Sequence, residues 1–452
     1  MMKATNLRMK TTTNVAAVMA AGVLSLVLSG CSLSPSAGPN AVAGPALHGN
    51  VHGGQQPVNG ARIRLYAVGA TGYGVGATYA TGTDLLGSNV VTTDALGNFN
   101  VTGDYTCPTS TTPVYLVATG GQPTTGVTNN NLAMMIALGP CTAASSFNGI
   151  QINELSTIGS VWPLSGFMTN MSSVGTSATN STGLANAFAG VNKLISVTAG
   201  TSPGPALPAG ASVLSPVLNS LADIMQSCIN SAGGVAGDGS ACGNYFAAAT
   251  PPGGTAPTDT IMAALNIAQN PGNNVSTLFL QSSPQGAFQP TLGSAPNAWT
   301  IAINYVGGGL SSPSGIATDA SGNVWLSNKG NNSVTQLSNT GAAVSGAGGF
   351  TAGAVSAPTA VAVDQTGKVW VTNGNNTVTQ LSSNGSTGTA FGGGGLNVPT
   401  SISIDGSGNV WVANAGNNSA TELSPTGTAI SPAGGYAGGG ASAPIGIAVS
   451  PR

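Results

Sequence analysis

A mainly β, multidomain chain with a small helical domain between its β parts is the fold class this sequence predicts, on three observations. Residues 47–142 alternate polar and apolar in short runs such as ARIRLYAV, GNFNVTG and VYLVATG, the period of half-buried strands. Between residues 143 and 296 the apolar period lengthens to nearly four, that of amphipathic helices. From residue 297 onward one phrase recurs: GNVWLSNKGNNSVTQLSNTG from Gly322, GKVWVTNGNNTVTQLSSNG from Gly367 and GNVWVANAGNNSATELSPTG from Gly408.

At the amino end, Lys3, Arg8 and Lys10 precede an apolar run from Val15 to Leu28. It is too short to span a bilayer, and residues 1–30 read as a secretory signal peptide. The run ends in Leu28-Ser29-Gly30-Cys31, which resembles the bacterial lipobox. That resemblance implies a diacylglycerol on the Cys31 thiol, and Ser32 resembles the residue after the cysteine in lipoproteins sent to an outer membrane. SLSPSAGPNAVAGPA follows from Ser32, so residues 31–46 are expected to form a lipidated, flexible tether. The expected location is the cell envelope, lipid-anchored. Losing Lys3, Arg8 and Lys10 with the signal peptide takes the formal charge from −2 to −5, because all eleven acidic groups remain. Nucleic acid is an unsuitable partner for such a surface. Only 4% of residues are charged and 68 are glycine, so hydroxyls, amides and backbone must supply the polar surface.

With Cys31 lipidated, four cysteines remain. Of their three possible connectivities, the local one is expected: Cys107 with Cys141 and Cys228 with Cys242. Neither pair has the spacing of a metal site or a histidine beside it.

In the β-sandwich expected over 47–142, GNVHGGQQPVNGARIRLY, VTTDALGNFNV and VYLVATGG succeed one another. This order resembles the carboxypeptidase-regulatory or collagen-adhesin B type of domain, which implies a transthyretin-like Greek key. Its most specific piece is TTDALGNF from Thr92, where Asp94 and Gly97 shape a hairpin turn and Phe99 points inward. Some adhesin members carry a Lys–Asn crosslink, but there is no lysine between Lys10 and Lys193 to make one. In the helical domain, 143–296, Val217, Leu218, Leu221, Ile224, Met225 and Cys228 share one helical face. Ser215 is the expected cap and Pro216 the first helical residue. Leu184, Phe188, Val191, Leu194 and Ile195 repeat the spacing, as do Ile261, Met262, Leu265 and Ala268 before a stop at Pro271.

Across 297–452, unit starts at Pro313, Pro358, Pro399 and Pro444 lie 45, 41 and 45 residues apart. That period is the signature of β-propeller blades, four short antiparallel strands each, and about three blades are expected. The units resemble NHL-type propeller repeats. Asp319, Asp364 and Asp405 end first strands, and the turns after them place Gly322, Gly367 and Gly408 where positive φ is wanted. Trp325, Trp370 and Trp411 occupy one position of the second strand and are expected to pack between neighbouring blades. TIAINYVGGGLSS from Thr300 matches the final strands of a blade, while PIGIAVSPR from Pro444 supplies a first strand only. The ring is therefore expected to be incomplete in one molecule, and the chain a shortened member of a family with more repeats.

Residues able to do chemistry are scarce. His48 and His52 lie four apart on an expected strand, about 13 Å from one another, too far to share a metal. Asp319-Ala320-Ser321-Gly322-Asn323 has part of a calcium loop's donors but lacks its later glutamate. GGGG from Gly392 lacks the ending of a phosphate loop, and the chain has no GxSxG elbow for a nucleophilic serine. The repeats also resemble those of virginiamycin B lyase-like propellers, which use a glutamate-bound magnesium and a histidine. Here the glutamate positions match Asn328, Asn373 and Asn414, and the repeat region has no histidine. Gluconolactonase-like propellers bind metal through Glu, Asp and Asn, but the sole glutamate of this region, Glu422, falls on a third strand. The expectation is a non-catalytic surface protein, without cofactor or metal, presenting a propeller to a protein or glycan. A metal-dependent propeller lyase or lactonase, or a purely structural envelope component, is the alternative.

Overall fold

The computed structural model describes residues 40–79, 84–147, 149–282 and 286–449. The expected signal peptide, Cys31 and the start of the expected tether lie outside these residues. The expected tether also runs too far, since Val42 and Ala43 pair antiparallel with Cys107 and Thr106.

The chain is mainly β, with short helices and many separate sheets. One antiparallel sheet orders its strands Val91–Thr92, Arg62–Ala67, Pro113–Thr119 and Ala133–Pro140. In a second sheet, Leu47–Gly53 pairs antiparallel with Asn98–Val101 and in parallel with Ile150–Ile152. Phe99 is buried, as expected, and Asp94 accepts backbone N–H bonds from Leu96 and Asn98 across the turn.

Among the described residues six α-helices follow: α1 (Glu154–Leu164), α2 (Ser181–Leu194), α3 (Ser215–Ile229), α4 (Ala241–Ala249), α5 (Thr260–Gln269) and α6 (Val275–Phe279). The three apolar stripes read from the sequence fall on α2, α3 and α5, and their central residues are buried. Ser215 is not the cap of α3. Leu214 holds that place without a side-chain bond, and the Ser215 hydroxyl pairs with that of Ser202 instead.

The boundary expected after residue 142 lies inside a continuous apolar core that runs from Leu47 to Trp299. Two contacts explain why sheet and helices cannot be separated there. Ile150–Ile152, from beyond the boundary, completes the second sheet. Helical hydroxyls meanwhile cover the edge strand Ala133–Pro140, whose outward N–H groups at Ala133, Met135 and Ala137 donate to Thr260, Thr157 and Ser160 Oγ, each at 3.0 Å. An edge that would otherwise invite another strand is thereby closed.

The disulfides are Cys107–Cys141 and Cys228–Cys242. The second joins the end of α3 to α4 over a separation of 14 residues. Replacing both of its cysteines by alanine is expected to cost about 3 kcal/mol through the freed unfolded chain. A lower denaturant midpoint at unchanged slope checks this.

Beyond Trp299 the chain builds three successive antiparallel meanders. The first sheet comprises Pro313–Thr318, Val324–Asn328 and Ser333–Leu337. The second comprises Pro358–Val363, Val369–Asn373, Thr377–Leu381 and Gly388–Phe391, and the third Pro399–Ile404, Val410–Asn414, Ser419–Leu423 and Tyr436–Ala437. The first has three strands where four were expected, because SGAGGF offers only an isolated bridge, Val334 with Phe350. The region joins the body through Ile303–Asn304, paired with Ser212–Val213, and through Lys193 Nζ, which donates to the Tyr305 hydroxyl at 3.4 Å.

Candidate functional site

Each meander makes the same turn between its first and second strands. Asp319 Oδ1 accepts the N–H groups of Ser321 and Asn323, and Oδ2 accepts from Asn323 Nδ2 and Trp325 Nε1. Asp364 and Asp405 repeat this on Trp370 and Trp411, with Gly322, Gly367 and Gly408 at positive φ as expected. Partial burial alone would push the three carboxyls up, but the hydrogen bonds they accept outweigh it and hold them below the usual value. The turn oxygens read as a partial calcium loop are thus engaged with their own turn.

Asn328, Asn373 and Asn414 end the second strands and are fully buried. Each Oδ1 accepts a backbone N–H, from Ser311, Ser356 and Asn397 respectively. Each Nδ2 donates to two hydroxyls of the third strand, at 2.9–3.3 Å. The side chains standing where the lyase-like repeats have glutamate are therefore structural clamps whose polar atoms point into the sheet. Glu422 accepts from Asn409 Nδ2 and the Tyr436 hydroxyl.

Junctions between sheets are just as regular. Ser314 Oγ donates to Pro358 O, Thr359 Oγ1 to Pro399 O and Thr400 Oγ1 to Pro444 O, each at 2.7 Å. Asn332, Asn376 and Asn418, all at positive φ, accept the N–H of Ala357, Val398 and Ala443 at 2.7 Å. The recurrent asparagines of the second turn thus serve the next unit as well as the turn.

Trp325 is buried in a cluster with Val355 and with Val361, Val369, Val371 and Leu381 of the second sheet, and Trp370 with Ile402, Val410, Val412 and Leu423 of the third. The expected packing between neighbours holds for these two. Trp411 has no such cluster and is only partly buried. An aromatic partner went unread in the sequence: Phe350 lies 5.8 Å from Trp325, Phe391 5.8 Å from Trp370 and Tyr436 5.9 Å from Trp411. Together with Tyr305 these rings recur every 45, 41 and 45 residues, the spacing of the prolines, so the signal was present. Three of them press on a glycine of the following unit, Tyr305 on Gly341, Phe350 on Gly385 and Phe391 on Gly427, where a Cβ would stand 2.0–2.4 Å from the ring.

At the head of the series, a groove of about 420 Å³ opens on the outer face of the first sheet. Ile303, Tyr305, Leu310, Ile316, Val324 and Leu326 line it.

The body holds the most perturbed acids. Glu154, fully buried at the first position of α1, accepts the Gly54 N–H at 3.0 Å on both oxygens. Burial pushes its carboxyl up to about 8, against the pull of the Gly54 N–H and with a further push from Asp223. Asp223 on α3 is raised to about 6, again by burial, while the Phe288 and Ala287 N–H groups pull it down. Its bonds run to the tip of the 47–57 hairpin, so it secures the hairpin to α1. His48 and His52 share one strand, as read, and His52, lowered by burial, pairs through Nδ1 with Asn50 Oδ1 at 2.9 Å. Among the described residues no three His, Cys, Asp or Glu side chains gather as a metal site.

No protein-family model and no curated protein matches the chain. Solved structures similar to it are a streptogramin B lyase (22% identity, 27% of this chain and 40% of that one, TM-score 0.24) and the selenomethionine-substituted virginiamycin B lyase from Staphylococcus aureus (18%, 26% and 39%, TM-score 0.23). A nidogen/laminin complex is a third (17%, 30% and 52%, TM-score 0.23). These are β-propeller-type proteins matched at low coverage, and the chain spans about half or less of each.

Proposed function

We propose that this chain is a non-catalytic, lipid-anchored protein of the cell envelope whose three meanders are blades of an incomplete β-propeller that binds a protein or glycan. The transthyretin-like sandwich expected over the first β segment serves, with the helices, as its pedestal. One observation carries the reading. Every repeated polar side chain, Asp319, Asp364 and Asp405 as much as Asn328, Asn373 and Asn414, is consumed in holding its own blade or the next. Between them the repeats leave Ile316, Val344, Val398, Ile430 and Tyr436 exposed. The same bonds weigh against a lyase or lactonase centre built from those side chains. The two disulfides fit an oxidising compartment, in keeping with the signal peptide and the lipobox cysteine.

Anchoring is tested by fractionation. Cys31→Ala is expected to move the protein from the membrane to the soluble fraction, and an unmodified N-terminal mass together with unchanged membrane association would refute it. Binding is tested by retaining purified envelope glycans and proteins on the immobilised chain. Saturable retention is expected, and turnover in a metal-supplemented lyase and lactonase screen would overturn the non-catalytic reading.

A further inference from the structure

In the body, Tyr73 stands 53% exposed in a glycine-rich loop, GATGYGVG from Gly69, yet its ring is fixed on two sides. Phe167, which packs on the apolar core, stacks against it with centroids 5.7 Å apart and planes 24° from parallel. Asn180 Nδ2 donates to its hydroxyl at 2.7 Å. The loop is tied to the chain beside it, because the N–H groups of Gly69, Gly72 and Gly74 donate to the carbonyls of Val174, Thr176 and Gly175. Thr169 Oγ1 adds a bond to Gly74 O at 2.7 Å. Gly74 is at positive φ, and a Cβ there would stand 2.4 Å from Thr169 Cγ2, so the close approach needs glycine. The ring has given up its freedom in folding, and a ligand that stacks on it need order little more.

Tyr73 borders a pocket of about 380 Å³, at the small end of ligand clefts, that Ser165, Met168, Thr169 and Gln269 also line. Gln269 Nε2 donates to Ser165 O at 2.9 Å and Met168 O at 3.4 Å, which fixes the amide end for end. Its Oε1 accepts no bond among the described residues. The Ser165 and Thr169 hydroxyls donate to the carbonyls of Trp162 and Gly74, so their oxygens are left to accept. No charged side chain lines the pocket among the described residues, so an ion finds no counterpart there. An extended peptide finds no free edge, since the loop's N–H groups are spent as described and that of Gly175 goes to Phe167 O. A ring of C–H groups rimmed by neutral hydroxyl donors matches both the aromatic face and the waiting acceptors.

We infer that this pocket is a subsite for one ring of a neutral sugar, a hexopyranose that lays its C–H face on Tyr73 and donates hydroxyls to Gln269 Oε1 and the Ser165 and Thr169 oxygens. The site belongs to the body and does not depend on the binding role proposed for the repeats.

The probes are cellohexaose, maltohexaose, mannohexaose and chitohexaose, titrated calorimetrically into the purified full chain, with hexagalacturonate as the charged comparison. Saturable binding of at least one neutral probe is expected, and none of the charged one. Tyr73→Ala should weaken it about tenfold, the worth of one stacked ring, while Tyr73→Phe, which keeps the ring and loses the bond from Asn180, should stay within about threefold. Tyr73 is exposed, so both variants should keep the thermal transition of the parent. Nitration by tetranitromethane, read by peptide mapping, needs no variant: Tyr73 should react in the free chain and be protected by the bound probe. No saturation with any neutral probe, binding indifferent to Tyr73→Ala, or equal binding of hexagalacturonate would overturn the subsite. So would a Tyr73 protected without sugar, which would show another stretch of chain or a second copy lying over it. Binding lost in Tyr436→Ala and kept in Tyr73→Ala would put the sugar on the repeats, sinking the subsite and leaving the role proposed for them standing. Tyr73-dependent sugar binding, with no envelope ligand retained by Tyr73→Ala, would do the reverse.

Discussion

Trp370→Ala is expected to destabilise the second and third sheets by about 3–5 kcal/mol, the cost of emptying a fully packed site of a large aromatic side chain. Trp370 is wholly buried, fills the cluster formed by Ile402, Val410, Val412 and Leu423, and satisfies Asp364. Trp411→Ala, at the same place in the third sheet, is expected to cost only about 1 kcal/mol, because among the described residues no further sheet closes over it. Hydrogen exchange in Val369–Asn373 and Val410–Asn414 measures the difference. Equal losses for the two substitutions would show that the indoles act within their own sheets, not between neighbours. In stacked units stability resides largely in nearest-neighbour interfaces, so the comparison reads one interface directly.

Glu154→Gln is expected to stabilise the body at neutral pH by a few kcal/mol. The folded chain holds Glu154 protonated up to about pH 8, whereas an ordinary carboxyl titrates near 4.5. Below 4.5 both states carry the proton and the fold has its full stability. From there to about 8 the unfolded chain releases a proton that the folded chain keeps, so stability falls as pH rises, by about 1.4 kcal/mol per unit. Asp223 adds a loss of the same sign between 3.8 and about 6. Denaturant melts at pH 4.5 and 7.5 decide the matter. The variant should match the parent at the lower pH and exceed it at the higher, and a parent that gains stability toward alkaline pH would refute the assignment.

The repeat region was readable because its identity lies in spacing. Prolines 45, 41 and 45 residues apart, a tryptophan six residues after each aspartate and a glycine at each turn all survive as sheets, turns and packing. The Trp-to-Asp bond was less readable, since residues six apart meet only once a hairpin folds one strand back on the next. Helix α1 was missed for a clearer reason. The residues with which ELSTIGSVWPL meets the sheet edge include Thr157 and Ser160, whose hydroxyls serve Met135 and Ala137 N–H groups, so its buried surface is not marked by apolar residues alone. Pro163 inside it reads as a stop. Glu154 was hidden likewise, because nothing in the order of residues says that a carboxylate in front of an apolar run will meet the Gly54 N–H a hundred residues earlier. The misplaced boundary after residue 142 has the same origin: a change of period marks a change of element, and here the helices serve the sheet that precedes them.

The two disulfides have a mechanical consequence. For a chain held at its amino end and pulled through the repeats, the load crosses the body and leaves it by the short pairing of Ser212–Val213 with Ile303–Asn304. Cys107–Cys141 and Cys228–Cys242 close segments of 34 and 14 residues along that path. Even a body whose packing has given way cannot pay out those segments, which at about 3.5 Å per residue withhold roughly 170 Å of length. The body therefore yields under tension to a fixed, short reach, and reduction would lengthen it by that amount.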